Sequence, residues 1–106
     1  MTAAAATLQA FFTERLIRQR RASAHTIAAY RDTLRLLLNF AAARTGTSPC
    51  HLDMAQLNAP VIAAFLDHLE HDRGNSIHTR NARLAAIHSL FSFAALCHLA
   101  RLPDSV

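Results

Sequence analysis

A chain of 106 residues with a 52% hydrophobic fraction can bury one modest core, and that fraction excludes a disordered tail. The formal charge of +4, carried by eleven Arg and no Lys, suits a polyanionic partner, although a GC-rich genome accounts better for the all-Arg usage than selection for phosphate binding. Apolar runs of at most about eight residues exclude a membrane-spanning helix.

Ala and Leu dominate, and two Gly and three Pro interrupt little, so the composition favours helix. Apolar spacing gives four helical segments and no alternating stretch for a strand. The first is predicted over Ala4–Arg20, with Leu8, Phe11, Phe12, Leu16 and Ala5 on one face. Phe11 and Phe12 are adjacent and are not expected to face the same way, which makes this helix a candidate partner surface. "RRAS" breaks it, and Ser23 is placed to cap the second helix. That helix carries Ile27, Tyr30, Leu34, Leu37, Leu38 and Ala41 on one stripe, with Gly46 at its end.

"TGTSPCHLDMAQLN" reads as a loop with a short turn near Met54–Leu57. Asn58 caps a third helix with Pro60 in its first turn, where a missing N–H is harmless. Val61, Ile62, Phe65, Leu66 and Leu69 form its buried side, and Gly74 ends it. Ser76 caps the fourth, whose stripe is Ile77, Leu84, Ile87, Leu90, Phe91, Ala94 and Ala95. The predicted architecture is all-α, a compact four-helix bundle with one extra short turn.

Charge is unevenly distributed among these segments. Between Leu8 and Arg44 seven Arg face only Glu14 and Asp32; between Asp53 and Asp72 there are four acids and no Arg. From Ser76 to Arg101 there are three Arg, three His and no acid. The second and fourth helices are therefore basic and the third acidic, so the bundle has a positive and a negative side.

Both basic helices begin alike, as "SAHT" and "SIHT". A capped helix start with exposed N–H groups and short polar side chains is suited to phosphate or base edges. On the fourth helix Asn81, Ala85, His88 and Ser92 form a stripe of small or polar groups that would let the axis approach a groove, with Arg80 and Arg83 flanking as phosphate ligands. The bland alternative is an ordinary helix start and a solvated stripe.

"SAHTIAAYRDTLRLLLNFA" resembles the opening of the core-binding, SAM-like N-terminal domain of tyrosine recombinases, the phage integrases and Xer-type recombinases. The matching positions are Ser23, Thr26, Tyr30, Leu34 and Phe40. "SIHTRNARLAAIHSLFSFA" resembles the later signature of that family through Ser76, Thr79, Asn81, Leu84, Ala86, Ile87, Ser89 and Phe91. His88 departs from the family's usual Arg, and Arg80 stands where an apolar residue is commoner.

The resemblance implies an orthogonal SAM-like bundle over 1–100, and a linker beginning at 101–106 toward a catalytic domain outside this chain. It implies a module that forms half of a clamp around double-stranded DNA, with the second and fourth helices toward the major groove. Carried over by position, the expected DNA-binding residues are His25, Thr26, Ala29 and Thr33 on one helix and Thr79, Arg80, Ala82, Arg83 and Ala86 on the other. Arg20, Arg21 and Arg31 are expected to add phosphate contacts. The resemblance also implies that the parent is a DNA-cleaving and joining recombinase, that this part is not itself catalytic, and that copies associate on DNA. Tyr30, the only tyrosine, lies on the apolar stripe and reads as core rather than nucleophile.

The cluster "DHLEHDR" reads as the solvated face of an acidic helix, so no metal or cofactor is expected. Cys50 and Cys97 lack CxxC or Cys–His spacing, and "MTAAAATLQAFF" lacks a basic n-region, which points to reduced thiols in a cytoplasmic protein. The competing functional reading is a helical protein-interaction module.

Overall fold

The computed structural model describes residues 3–19, 21 and 23–100, with side chains given for these apart from residues 18, 19 and 97–100. Among the described residues four helical elements make up the bundle, as expected. Helix α1 spans Ala4–Ala10 and continues in a wider π-helical spiral, Phe11–Gln19. Helix α2 is Ala24–Thr45, α3 is Ala59–Asp67 extended by a π-helical turn His68–Asp72, and α4 is Ile77–Ala100. The expected loop between α2 and α3 contains two 3₁₀ turns, Pro49–His51 and Met54–Gln56, where one was expected. An isolated backbone bridge pairs Ala3 with Asp53, and Ala4 N–H donates to Leu52 O at 2.9 Å, which ties the start of α1 to those turns.

The caps work as the sequence suggests. Ser23 Oγ accepts the Thr26 N–H at 3.1 Å, and Ser76 Oγ accepts that of Thr79 at 3.1 Å. In each pair the serine hydroxyl also donates to the threonine Oγ1, at 3.0 Å and 3.2 Å. Asn58 Oδ1 accepts from Val61 N–H, and Asp53 with Gln56 forms a reciprocal capping box on the second 3₁₀ turn. Gly46 closes α2 at φ 70°, a left-handed conformation in which a Cβ would be strained. Ser23→Ala and Ser76→Ala are each expected to lower stability by about 1 kcal/mol, read from the denaturant midpoint.

The core lies where the four elements meet. Leu8, Phe11 and Leu16 pack with Leu34, Leu37 and Ala41 of α2, Val61, Phe65 and Leu66 of α3, and Ile87, Leu90 and Phe93 of α4. Phe11 is fully buried, with its ring stacked 6.4 Å from Tyr30, tilted 5.7 Å from Phe93 and edge-on 5.6 Å from Phe12. Phe40 and Phe65 form a second aromatic pair, 5.5 Å apart.

Several expected core assignments differ. Ala4, rather than Ala5, is buried. Phe11 and Phe12 both pack on the core, Phe12 only partly, in the stretch where the spiral widens and changes the angle between neighbours. On α4, Ile77 is exposed because it starts the helix beyond the seam with α2, and Ala95 is also exposed. Phe93, off the expected stripe, is buried: a helix of 24 residues meets α2 along one part of its length and α1 near its far end, which broadens its apolar face.

Candidate nucleic-acid interface

The two basic helices pack against each other, and polar groups cross the seam. Arg83 of α4 reaches α2, its Nη1 donating to Asp32 Oδ2 at 3.2 Å and to Thr33 Oγ1 at 3.1 Å. Its Nε donates to Asn75 Oδ1 at 3.2 Å, just ahead of the α4 cap. Asp32 Oδ1 accepts a further bond from Arg35 Nη2 at 2.9 Å. That bond from Arg35 is the largest influence holding the Asp32 carboxyl below its ordinary value; burial opposes it next in size, and the bond and charge of Arg83 add to the lowering. Asp32 therefore stays ionised at neutral pH, a negative charge with an arginine on either side.

The sign follows from a depressed folded value. The contribution of Asp32 is present above the ordinary carboxylate range and is lost as pH falls through the lowered folded value. The stability difference between wild type and Asp32→Asn is expected to shrink as pH falls below about 4, measured by urea unfolding at stepped pH.

Helical spacing extends this seam into a surface. His25, Ala29 and Asp32 stand at i, i+4 and i+7 on α2, and Ser76, Thr79 and Arg83 at i, i+3 and i+7 on α4. His25 and Ala29 are exposed and Thr79 is half-buried, so α2 and α4 border the seam with small or polar groups. The stripe Asn81, Ala85, His88 and Ser92 is exposed throughout, and so is Ala82. Arg21 is exposed at the break between α1 and α2, with a backbone φ of 48°. Arg31 is exposed, with its guanidinium 5.9 Å from the Phe12 ring centroid. Thr26 is half-buried in its capping pair, and Arg20 lies outside the described residues.

Four of the expected residues are buried or paired within the chain. Thr33 is only 3% exposed and Ala86 1%, because both face the bundle interior at the seam. The Arg83 side chain is 18% exposed and is taken up by three protein acceptors. Arg80 turns toward the acidic α3, its Nε 3.5 Å from Glu70 Oε2, close enough for an ion pair but not aligned for a hydrogen bond. Neither arginine of α4's first half projects freely from the surface. Asp32 and Asn75 were not among the expected site residues; the available signal for Asp32 was its being the single acid in an otherwise basic α2.

Elsewhere the acidic side gathers Asp67, Glu70 and His71, with potential ligand atoms within 4.8 Å of one another at the surface. His71 Nδ1 is bonded to Asp67 O, and His68 is directed instead to Asp72 at 2.9 Å and to the Phe40 ring. Cys50 is an exposed free thiol, and the side chain of Cys97 lies outside the described residues. Between α1 and α2 an apolar cleft of about 280 Å³ is floored by Leu8, Phe12, Leu34 and Leu38 and rimmed by Arg31 and Arg35. No helix among the described residues is long and apolar enough to cross a membrane.

The family described as "Phage integrase, N-terminal SAM-like domain" matches residues 9–97. Two proteins of Sinorhizobium fredii are similar over 88 residues, 83% of this chain. "Putative integrase/recombinase y4rC" is 52% identical, and "Putative integrase/recombinase y4rD" is 50% identical. The aligned part covers only 26% and 31% of those relatives' own lengths. No solved structure matches significantly. With the match running from late α1 into the last turns of α4, the chain belongs to the N-terminal SAM-like domain family of phage integrases.

Proposed function

We propose that this domain binds double-stranded DNA as one half of a clamp, within a longer site-specific tyrosine recombinase. The observation that carries this reading is the seam itself. Two serine-capped helices lie together, and the exposed side chains bordering them are histidines, arginines and small residues. Its one acid, Asp32, is neutralised by two arginines and so offers little repulsion to a phosphate backbone. Helix ends supply N–H groups, exposed guanidinium groups supply charge, and small side chains allow close approach; this is the surface chemistry a duplex requires.

In this reading Arg21 and Arg31 neutralise phosphates, together with Arg20. His25, Ala29, Thr26, Thr79 and Ala82 border the groove, while the exposed stripe Asn81, Ala85 and His88 lies on the side of α4 opposite the seam. Thr33 and Ala86 support the surface from beneath. Cleavage and joining belong to the catalytic domain of the parent, whose nucleophile lies outside this chain. Tyr30 is unsuited to that role, since its ring is stacked on Phe11 beside the core. The setting is the bacterial cytoplasm, with copies assembling on DNA. The test is titration of a labelled duplex at low salt, and absence of any shift refutes the reading.

One observation favours a second reading, a protein-interaction module: the arginine-rimmed apolar cleft between α1 and α2. Association that rises with concentration in the absence of DNA supports it, and sedimentation at two concentrations separates the two cases.

A further inference from the structure

Arg83 belongs to the basic surface by sequence but is withdrawn from it by its bonds. A guanidinium is a rigid planar fork that can hold several acceptors in fixed directions. Here it holds Asn75 from the turn before α4, and Asp32 and Thr33 from the middle of α2. The seam at this point is polar, since Thr33 is buried and its hydroxyl also donates to Ala29 O at 3.1 Å. Apolar contacts tolerate sliding of one helix along another, whereas a hydrogen-bonded charge network specifies one register.

We propose that Arg83 is a positioning residue, a strut that fixes α4 against α2 and so sets the spacing of the groove-facing side chains, instead of contacting phosphate itself. The assignment rests on the DNA-binding reading above. It leads to an opposition of sign. If Arg83 neutralises phosphate, lysine replaces it adequately, and Asp32→Asn tightens binding by removing a negative charge from a cationic surface. If Arg83 is a strut, lysine fails, because one ammonium cannot reproduce the planar fork, and Asp32→Asn weakens binding although the chain becomes more positive.

The experiment measures affinity for a labelled mixed-sequence duplex at several salt concentrations. The proteins are wild type, Arg83→Lys, Arg83→Gln and Asp32→Asn, all held well below their melting temperatures. Val61→Ala on α3 serves as the control for general loss of stability. The expected result is about tenfold weaker binding for each Arg83 and Asp32 variant, the equivalent of one misplaced contact. The slope of log affinity against log salt should not change. The strut is refuted if Arg83→Lys binds like wild type, if Arg83→Gln loses about 0.9 of salt slope as a lost phosphate contact would, or if Asp32→Asn binds as tightly or tighter. It is also refuted if Val61→Ala, with a similar drop in melting temperature, weakens binding as much as Arg83→Gln. Wild type that fails to bind at low salt refutes the DNA-binding reading and the strut together. Binding by wild type with any of the other refuting outcomes removes the strut alone.

Discussion

Phe11→Ala is expected to bring the chain close to unfolding. Phe11 is fully buried and makes ring contacts with α2 through Tyr30 and with α4 through Phe93, besides its neighbour Phe12. Truncating a buried phenylalanine removes transfer energy and leaves a cavity, at a cost of about 3–5 kcal/mol, a large share of the ~5–15 kcal/mol that holds a domain folded. For a chain of this size the melting temperature should fall by about 20 °C. Phe12→Ala, at a partly buried position on the cleft, should cost clearly less. Thermal unfolding followed by circular dichroism measures both. Equal losses at the two positions would mean that Phe11 is not the junction of the bundle.

The second large effect is on affinity for DNA. With Arg20, Arg21 and Arg31 as phosphate ligands, log affinity should fall with log salt at a slope of about −2.7. Raising salt from about 50 to 200 mM should then weaken binding about 40-fold. Removing Arg31 alone should lower the slope by about 0.9 for every duplex tested, whatever its sequence. Arg31→Ala also gives up its contact with the Phe12 ring, so a stability measurement must accompany the titration. A slope near zero would remove phosphate contacts as the basis of binding, and a loss restricted to one sequence would make Arg31 a base reader instead.

On the proposed reading the arginines of this surface divide into two roles, strut and phosphate ligand, that charge counting merges. Arg31 is exposed and pre-oriented over an aromatic face, while Arg83 is enclosed by acceptors. Arg80 is drawn to Glu70, so it links the basic α4 to the acidic extension of α3.

The local features were legible in the amino-acid order because each depends on near neighbours. Ser23 and Ser76 cap their helices through an N–H three residues away, Gly46 takes the left-handed turn that suits it, and period alone marks Leu34, Leu37, Ile87 and Leu90 as core. The family, too, is carried by the ordered serine, threonine and apolar positions along the chain. Helix count and the polarity of charge from one helix to the next required nothing more.

Tertiary contact decided which of the basic side chains are available. Arg83 and Asp32 are 51 positions apart, and nothing in either helix's own periodicity reveals that they meet. Thr33 and Ala86 look as open to a ligand as Thr26 and Ala82 until α2 and α4 are brought together, when the first pair becomes interior. Phe93 likewise enters the core only because α1 reaches the far end of α4. Helical period fixes the angle at which a side chain leaves its own axis, whereas burial and pairing depend on which other axis lies at that angle, and that is settled only when the four helices pack.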